Sequence, residues 1–345
     1  MSLSLGIVGL PNVGKSTLFN AITKKQVNIS NYPFCTIDPN IGVVKVPDER
    51  LDKLAEVFKP KQILPTTIEF VDIAGLVKNA YLGEGLGNQF LANIREVDAV
   101  IEVVRVFQDT NVAHVAGKVD PRADKETINL ELILADLQTV SKRLDKVKKE
   151  VKSGDKNIIK LPQVLEKLKN ILDQGKRAQD AKLDNDEQIM ISDLNLLTFK
   201  PILFVYNIGP HPDPLLLKER EICLNIKQEQ ELAELSKTEQ TELGMKSELN
   251  KLIKASFQLL DLVTFFTVQN QILQAWTIIR NTKAPQAAGK IHTDFKAGFI
   301  RAETINWQDL LKAGSEAKAR ERGLIRTEGK EYIINDGDVC HFLYN

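Results

Sequence analysis

Short apolar runs recur along the first two thirds of the chain, each ending in polar or glycine-rich residues. They lie at 3–8, 68–71, 99–104 and 202–206. Runs of this length without strict apolar–polar alternation are typical of strands buried on both faces, and the stretches between them have helical character. The pattern therefore predicts an α/β fold with a largely parallel sheet covered by helices.

The periodicity changes between the third and fourth runs. Apolar residues there alternate in steps of three and four, the seam of a coiled coil, and the spacing resumes after a break at 153–155. The positions are Leu130, Ile133, Leu137, Val140, Leu144, Val147 and Val151, then Leu161, Leu165, Leu168 and Leu172. We predict an antiparallel helical hairpin inserted into the sheet domain. It could serve as a rigid spacer or as a docking arm.

A third pattern begins near Val263. Short strand-like runs predict a small, separate α+β domain, with a turn at 335–338 before a last strand. The predicted strands are Thr264–Thr267, Gln274–Ile278, Gly298–Ala302, Glu331–Ile334 and Val339–Phe342.

Composition narrows the class of protein. The 345 residues are 43% hydrophobic and 27% charged, which excludes a disordered or fibrous chain. The 46 basic and 46 acidic residues cancel, so the chain cannot coat nucleic acid by bulk charge. The sequence still allows a local basic patch that contacts RNA, because residues 142–156 contain seven Lys/Arg and three Asp/Glu, a net charge of 7 − 3 = +4.

Neither a signal peptide nor a membrane span is visible in the sequence. The first residues lack a basic segment and an uninterrupted apolar segment, and no apolar run reaches the ~18 residues that a span needs. The three cysteines, Cys35, Cys223 and Cys340, are far apart and have no metal-binding spacing. We therefore expect a cytoplasmic protein that does not contact membranes.

The strongest chemical signal is the segment Gly9–Ser16, GLPNVGKS, which fits the phosphate-binding pattern G-x-x-x-x-G-K-[ST]. A predicted strand precedes it and a predicted helix follows it, as the motif requires. The helix N-terminus favours an anion, and the backbone amides there can approach phosphate oxygens. Lys15 is expected to reach the β- and γ-phosphates and Ser16 to ligate Mg²⁺. The predicted nucleotide-binding residues of the loop are Asn12, Val13, Gly14, Lys15, Ser16 and Thr17.

Downstream residues complete the predicted phosphate site. Asp72 ends the second apolar run and is expected to hold Mg²⁺ through water, while the Gly75 amide is placed to sense the γ-phosphate. Thr36 lies in the segment NYPFCTIDPN and is expected to add a second hydroxyl to the metal when a triphosphate is bound. Glycines 83, 85 and 87 predict a segment that orders with the γ-phosphate.

These segments resemble one family. GLPNVGKST, NYPFCTIDPN and DIAGLVKNAYLGEGLGNQFL are similar to the YchF/Obg-like ATPases, and ETINLELILADLQTV and KAPQAAGKIHTDFKAGFIRAE extend the match over nearly the whole chain. The resemblance implies a P-loop NTPase with an Obg-type G domain, an inserted coiled-coil hairpin and a C-terminal TGS domain of β-grasp type. The corresponding ranges are 1–125 with 198–261, then 126–197, then 262–345. It also implies ribosome association, with the large subunit or the whole ribosome, and a preference for ATP.

The residues that would recognise the base depart from the pattern of guanine-selective relatives. The fourth run ends Asn207-Ile208-Gly209-Pro210, with no acid at the fourth position, and Asp213 follows only after a second proline. A carboxylate that pairs with guanine contributes strongly to selection, so its absence predicts weak discrimination in favour of GTP. Adenine can still use Asn207 and the backbone near Ile208.

The residue that orients the attacking water is also unusual. Leu76 follows Gly75, where many GTPases have a glutamine, so we expect slow intrinsic hydrolysis completed by another group or a partner. His114 is the candidate catalytic group, with an ordinary packing role as the alternative. Asn12 could offer its amide oxygen to K⁺, or it could only shape the turn.

The leading hypothesis is a slow, Mg²⁺-dependent ATPase that binds the ribosome and acts as a nucleotide-dependent regulator of translation or stress. The hairpin tip and the TGS domain would contact rRNA or tRNA. The alternatives are a GTPase of the same fold and a nucleotide-sensing ribosome-binding module that does not need turnover. We expect a monomer, since one chain supplies both helices of the hairpin.

Overall fold

The computed structural model describes residues 3–24, 40–73, 86–152, 160–209 and 220–345. The chain divides into two compact units. The first contains residues 1–43 and 69–249, and the second contains residues 44–68 and 250–345. Among the described residues, no helix is both long enough and apolar enough to cross a bilayer.

The strands and helices follow one another in chain order. The strands are β1 (Ser4–Val8), β2 (Ile41–Lys45), β3 (Gln62–Leu64), β4 (Thr67–Asp72), β5 (Ala99–Arg105), β6 (Ile202–Asn207), β7 (Glu221–Leu224), β8 (Leu262–Gln269), β9 (Ile272–Ile279), β10 (Phe299–Asn306), β11 (Arg326–Glu328) and β12 (Asp338–Tyr344). The helices are α1 (Lys15–Thr23), α2 (Glu49–Phe58), α3 (Leu86–Glu96), α4 (Pro121–Lys152), α5 (Leu161–Asp173), α6 (Asn185–Met190), α7 (Ile226–Leu232), α8 (Lys237–Glu242), α9 (Leu249–Leu259), α10 (Ala284–Ile291), α11 (Thr293–Ala297), α12 (Trp307–Ala313) and α13 (Glu316–Glu321).

The sheet of the first unit has the strand order β2-β4-β1-β5-β6-β7. The pairs β4–β1, β1–β5, β5–β6 and β6–β7 are all parallel, and every residue of β5 is buried. The predicted α/β fold with a largely parallel sheet is confirmed. In this register Ile7 lies between Asp72 and Ile101, so the carboxyl ends of the three central strands meet at one edge.

The inserted hairpin is formed by α4 and α5. The ion pair between Lys148, near the end of α4, and Glu166, near the start of α5, shows that the two helices run antiparallel. Its core contains the predicted seam residues Ile133, Val140, Leu144, Val147, Leu165, Leu168 and Leu172, with Leu137 and Leu161 half-buried beside them. The prediction that Leu130 belongs to the seam is wrong. Its side chain is 52% exposed, because this part of α4 buries Ile128 and Leu132 instead. Val151 lies at the end of α4, where side chains are outside the described set.

The positive charge of residues 142–156 is partly balanced by acids within and outside that stretch. Arg143 contacts Asp193, Lys146 contacts Glu150, and Lys148 contacts Glu166. These pairs are largely exposed, so each contributes little to stability. The two acids outside the stretch, Asp193 and Glu166, lower the local excess of positive charge. Residues 153–159, at the turn of the hairpin, lie outside the described residues.

The sheet of the second unit is mixed, with the order β11-β10-β12-β8-β9-β3. β8 and β9 form an antiparallel hairpin, β12 lies parallel to β8, and β10 is antiparallel to both β12 and β11. One predicted strand is wrong. Glu331–Ile334 makes only an isolated bridge between Lys283 and Ile333, and the edge strand is Arg326–Glu328. A run of apolar side chains alone does not reveal whether its backbone has a partner strand.

Helices cover both faces of this second sheet. Phe265 packs towards α10, among Ala284, Ala287 and Ala288, and the next residue, Phe266, packs on the opposite face with α2 and α12. β3 extends the sheet in parallel beside β9. Residues 44–68 thus complete this second unit, whereas the predicted boundaries included them in the nucleotide-binding domain.

Candidate functional site: a phosphate-binding loop and its support

The loop between β1 and α1 has the backbone that a phosphate site requires. Gly9 and Gly14 have φ values of 155° and 103°, and Asn12 is left-handed at 62°. A Cβ atom at Gly9 would lie 2.6 Å from the carbonyl oxygen of Val103, and one at Gly14 would lie 2.6 Å from Nδ2 of Asn207. Only glycine fits these two positions, because backbone or a fixed side chain approaches each of them. Glycine at these two positions therefore lets the loop pack against β5 and against Asn207.

Lys15 begins α1 and lies largely inside the loop. Its side chain is 9% exposed, and Nζ donates to the carbonyl oxygen of Leu10 at 2.9 Å. Burial lowers the pKa of the Lys15 ammonium, and the nearby carboxylate of Asp72 opposes that shift. A cation beside the backbone of a glycine-containing loop, at a helix N-terminus, is suited to bind and neutralise phosphate oxygens.

Two of the predicted metal ligands, Asp72 and Ser16, are among the described residues. Asp72 ends β4 beside Ile7, and its backbone NH donates to Asn40. Ser16 is exposed in the first turn of α1. A hydroxyl and a carboxylate are hard oxygen donors of the kind that Mg²⁺ takes together with phosphate oxygens and water. The residues present therefore fit the metal. Thr36, Gly75 and Leu76 lie outside the described residues.

Asn207, predicted to contact the base, is used within the protein. Its Nδ2 donates to the carbonyl oxygen of Val13 at 2.9 Å, and its Oδ1 accepts from the backbone NH of Ile226 at 3.2 Å. The side chain is therefore a brace between the phosphate loop and the start of α7. The backbone NH of Ile208 also has a partner, the carbonyl oxygen of Leu224. Asp213 lies outside the described residues.

His114 lies in the loop that follows β5, and it is enclosed. Its Nε2 is 3.0 Å from Oδ2 of Asp124, its Nδ1 accepts from the backbone NH of Ala116, and the two side chains are only 4% and 7% exposed. Both ring nitrogens are occupied, so a catalytic role would require one of these bonds to be exchanged. Next to it, the carbonyl oxygen of Ala113 accepts from Nδ2 of Asn12 at 3.1 Å. The His114 loop therefore touches the phosphate loop directly.

A set of buried and half-buried charges in the first unit was not predicted from the sequence. Glu102 and Arg105, both on β5, are 2% and 1% exposed. Lys125 at the start of α4 donates to the hydroxyl of Tyr206 at 2.8 Å and to Glu221 at 3.2 Å. The available signal was two charged residues inside the otherwise apolar run AVIEVVR, since a charge in a doubly buried strand needs a partner.

Family models match most of the chain. Residues 4–161 match a model described as "50S ribosome-binding GTPase". Residues 262–345 match the model of the YchF GTPase C-terminal region, whose description is "Protein of unknown function (DUF933)".

Curated relatives match over the full length. The Ribosome-binding ATPase YchF of Bacillus subtilis is 51% identical, and that of Escherichia coli O157:H7 is 49% identical, each over 100% of both chains. The chain belongs to the YchF family. The structure of the Schizosaccharomyces pombe YchF GTPase agrees, with 38% identity, a TM-score of 0.87 and coverage of 99% of this chain and 98% of that one. This family membership confirms the resemblance found in the sequence.

The relatives are named for different nucleotides. The two bacterial proteins are called ATPases and the fission yeast protein a GTPase. A GTP-binding protein from Pyrococcus horikoshii shares the fold at 17% identity, with a TM-score of 0.58 and coverage of 99% and 100%. Names alone therefore do not decide which base this YchF-family member accepts.

Proposed function

We propose that this chain is an Mg²⁺-dependent NTPase that prefers ATP, binds the ribosome, and regulates translation or stress responses according to its nucleotide state. The observation that carries the proposal is the phosphate loop, with buried Lys15 and adjacent Asp72 at the carboxyl edge of a parallel sheet. Its full-length likeness to proteins named ribosome-binding ATPases supports the ribosomal part. The products are the nucleoside diphosphate and phosphate.

The chain's own residues supply positioning and charge. Lys15 and the amides of residues 12–17 hold the phosphates, and Gly75 contributes its amide at the γ-phosphate. Ser16, Thr36 and, through water, Asp72 hold Mg²⁺, which when bound neutralises charge on the phosphate oxygens. Asn12 has its Nδ2 on Ala113, so its Oδ1 is the atom that would face K⁺. His114 remains the candidate for aligning the attacking water.

The proposed preference for ATP rests on the segment 207–210, which has no carboxylate to bind guanine. Position 210 is proline, so the fourth position carries no carboxylate to accept the two N–H donors of guanine. The side chain of Asn207 is held by Val13 and Ile226. The base would therefore be contacted by the backbone near Ile208 and by the second lone pair of the Asn207 amide oxygen. Without a carboxylate at the fourth position, this segment gains little from guanine, and Asp213 is the residue that could restore guanine selection in the alternative GTPase.

The decisive experiment measures ATP and GTP hydrolysis by the full chain, with and without ribosomes, at defined Mg²⁺ and K⁺. We expect ATP to be the better substrate and ribosomes to stimulate its turnover, with Lys15→Ala as the inactive control. Tenfold tighter binding of GTP than of ATP would overturn the adenine preference. Failure to sediment with ribosomes or the large subunit, in either nucleotide state, would overturn the ribosomal part.

Two finer parts have their own tests. Asn12→Gly should remove any K⁺ activation while retaining the left-handed backbone, and equal K⁺ dependence in the variant would reject that cation site. His114→Gln should lower turnover with unchanged ATP affinity if the ring acts on water. A loss of thermal stability with normal turnover would assign His114 to packing.

The proposed function also includes a location in the cell, RNA partners and an oligomeric state. We propose that the protein is cytoplasmic and that it contacts rRNA or tRNA through the hairpin tip and the TGS domain. It is proposed to be a monomer, because α4 and α5 bury their apolar seams against each other within one chain. Sedimentation velocity at micromolar concentration tests the monomer, and crosslinking on the ribosome tests the two contact surfaces.

A further inference from the structure

Among the residues that the structure describes, Arg105 heads the fully buried side chains by volume, and its guanidinium bonds to the backbone of one loop. Nε donates to the carbonyl oxygen of Phe107 at 3.2 Å, Nη1 to that of Val112 at 3.0 Å, and Nη2 to that of Asp109 at 3.1 Å. The guanidinium carbon also lies 4.3 Å from the ring centroid of Phe107. Three donors in a fixed planar fork hold the three carbonyls in one arrangement.

The buried charge makes this arrangement stiff. Within the described part of the chain, Arg105 forms no ion pair with a carboxylate, so the three carbonyl dipoles are what replaces its hydration. Breaking any of them would leave a buried charged donor without a partner, which costs more than losing an ordinary surface hydrogen bond. The loop from Phe107 to Val112 is therefore fixed to the end of β5.

The loop held by Arg105 contacts the phosphate loop through the carbonyl group of Ala113. Ala113 lies between Val112, held by Arg105, and His114, held by Asp124, so the chain is tied on both sides of it. The Ala113 carbonyl oxygen accepts the side-chain NH of Asn12 at 3.1 Å. Asn12 has a left-handed backbone, which costs free energy for a residue other than glycine unless its surroundings hold it. The fixed carbonyl supplies such a hold.

We propose that Arg105 is a positioning residue for nucleotide binding: by fixing Val112 it fixes the Ala113 carbonyl, which in turn orients Asn12 and the phosphate-loop amides that follow. Arg105 does not touch the nucleotide in this scheme. The proposal rests on the proposed function, because it assumes that the Gly9–Ser16 loop binds the phosphates of ATP.

The test is a double-mutant cycle read out as affinity for a fluorescent ATP analogue, using the full chain. Arg105→Met removes the fork and keeps the apolar stem, and Asn12→Gly removes the amide without backbone strain. We expect each single variant to weaken binding about tenfold. The double variant should bind no more than about threefold weaker than Asn12→Gly alone, because both changes interrupt one chain of contacts.

A matched control separates positioning from general loosening. Lys200 is a half-buried cation of the first unit that also donates to backbone carbonyls, those of Arg95 at 2.9 Å and of Val97. It has no contact with the phosphate loop among the described residues. Lys200→Met should lower thermal stability as Arg105→Met does, yet leave ATP affinity unchanged. If Arg105→Met does not fold, Arg105→Lys, which keeps the charge and loses the fork, enters the same cycle.

The outcomes are distinct. Wild-type affinity in Arg105→Met, or losses that multiply in the double variant, would overturn the proposal while leaving the NTPase function intact. An equal loss of affinity in Lys200→Met would also overturn it, because the effect would then be loosening of the whole unit. If the wild-type chain itself fails to bind the analogue, the proposed function fails and this positioning role fails with it.

Discussion

Two polar regions of the first unit differ in where their hydrogen-bonding capacity is directed. In the phosphate loop, Ser16 is exposed and the amides at the start of α1 have no earlier helical turn to bond with. At the root of the hairpin, Asp136 is fully buried and accepts from the NH groups of Leu197 and Thr198 and from the Thr198 hydroxyl. The first region is built for a ligand and the second for the protein itself.

Polar residues that look alike in sequence differ in the partners that the fold gives them. Asn207 and His114 were both expected to face the nucleotide, yet their polar atoms have partners inside the protein. Lys15 is also bonded internally, but to a single carbonyl of its own loop, which a phosphate oxygen can replace. The four variants below test this division, from the largest expected effect to the smallest.

Lys15→Ala should affect the ligand region alone. Loss of the ammonium removes charge neutralisation at the phosphates, so we expect ATP turnover to fall by about 100- to 1,000-fold. Burial of the Lys15 ammonium is only partly offset by the carboxylate of Asp72, so losing it should change the thermal midpoint little. Hydrolysis and differential scanning fluorimetry measure the two effects. Turnover within threefold of wild type would show that this loop is not where hydrolysis occurs.

Asp136→Ala should show the opposite behaviour. The change leaves two buried NH groups without an acceptor, so the free energy of unfolding should fall by about 3 kcal/mol. Urea unfolding followed by circular dichroism measures it, with the exposed Asp145→Ala on the same helix as the control, expected within about 0.5 kcal/mol of wild type. ATP affinity should be unchanged, and a parallel loss of affinity would break the division between the two regions.

Glu102 predicts a pH dependence that belongs to the protein rather than the ligand. Burial raises its pKa to about 8, against Lys125 and Arg177, which lower it, and with Asp124, which raises it. Its Oε1 has no hydrogen-bond partner within the described residues. Since the folded pKa exceeds the unfolded value of 4.5, the protonated form stabilises the fold. That contribution is complete below the unfolded value and is lost as the pH rises to about 8.

Glu102→Gln should remove this dependence. Between pH 6 and pH 8 the wild type should lose about 2 kcal/mol of unfolding free energy relative to the variant. Urea unfolding followed by circular dichroism measures the difference. The fluorescence of Trp276 and Trp307, both in the second unit, serves as an internal control that should not differ between the two proteins. Identical pH profiles would mean that Glu102 is ionised throughout.

Asn207→Ala should produce the smallest effect. It should change both stability and ATP binding, because Asn207 connects the phosphate loop to the start of α7. It frees the carbonyl oxygen of Val13 and the NH of Ile226, so we expect about 1 kcal/mol lower stability and about tenfold weaker binding of ATP. Isothermal titration with ATP and GTP measures the second effect. If Asn207 acts mainly as a brace, affinity for both nucleotides should fall by the same factor. A loss confined to ATP would instead show direct reading of adenine.

Much of the fold was predictable from sequence because each rule acts locally. Apolar runs gave the central strands, the steps of three and four gave the seam of the hairpin, and the motif GLPNVGKS gave the phosphate loop. Leu130 and Glu331–Ile334 were misassigned because burial and strand pairing depend on neighbours that are distant in the chain. The same reason explains why α2 was not assigned to the second unit.

The sequence by itself determined the phosphate loop, since glycines at 9 and 14 and a lysine at 15 specify backbone angles and charge within eight residues. Only the tertiary structure decided what the remaining polar residues do. Arg105, Asp124 and Asn207 bond to residues 2, 10 and 194 positions away. The role of Asn207 in particular depends on which strand ends meet. Each polar atom forms few hydrogen bonds, so the partners that a side chain finds in the fold, and not its residue type, show which neighbours it can position.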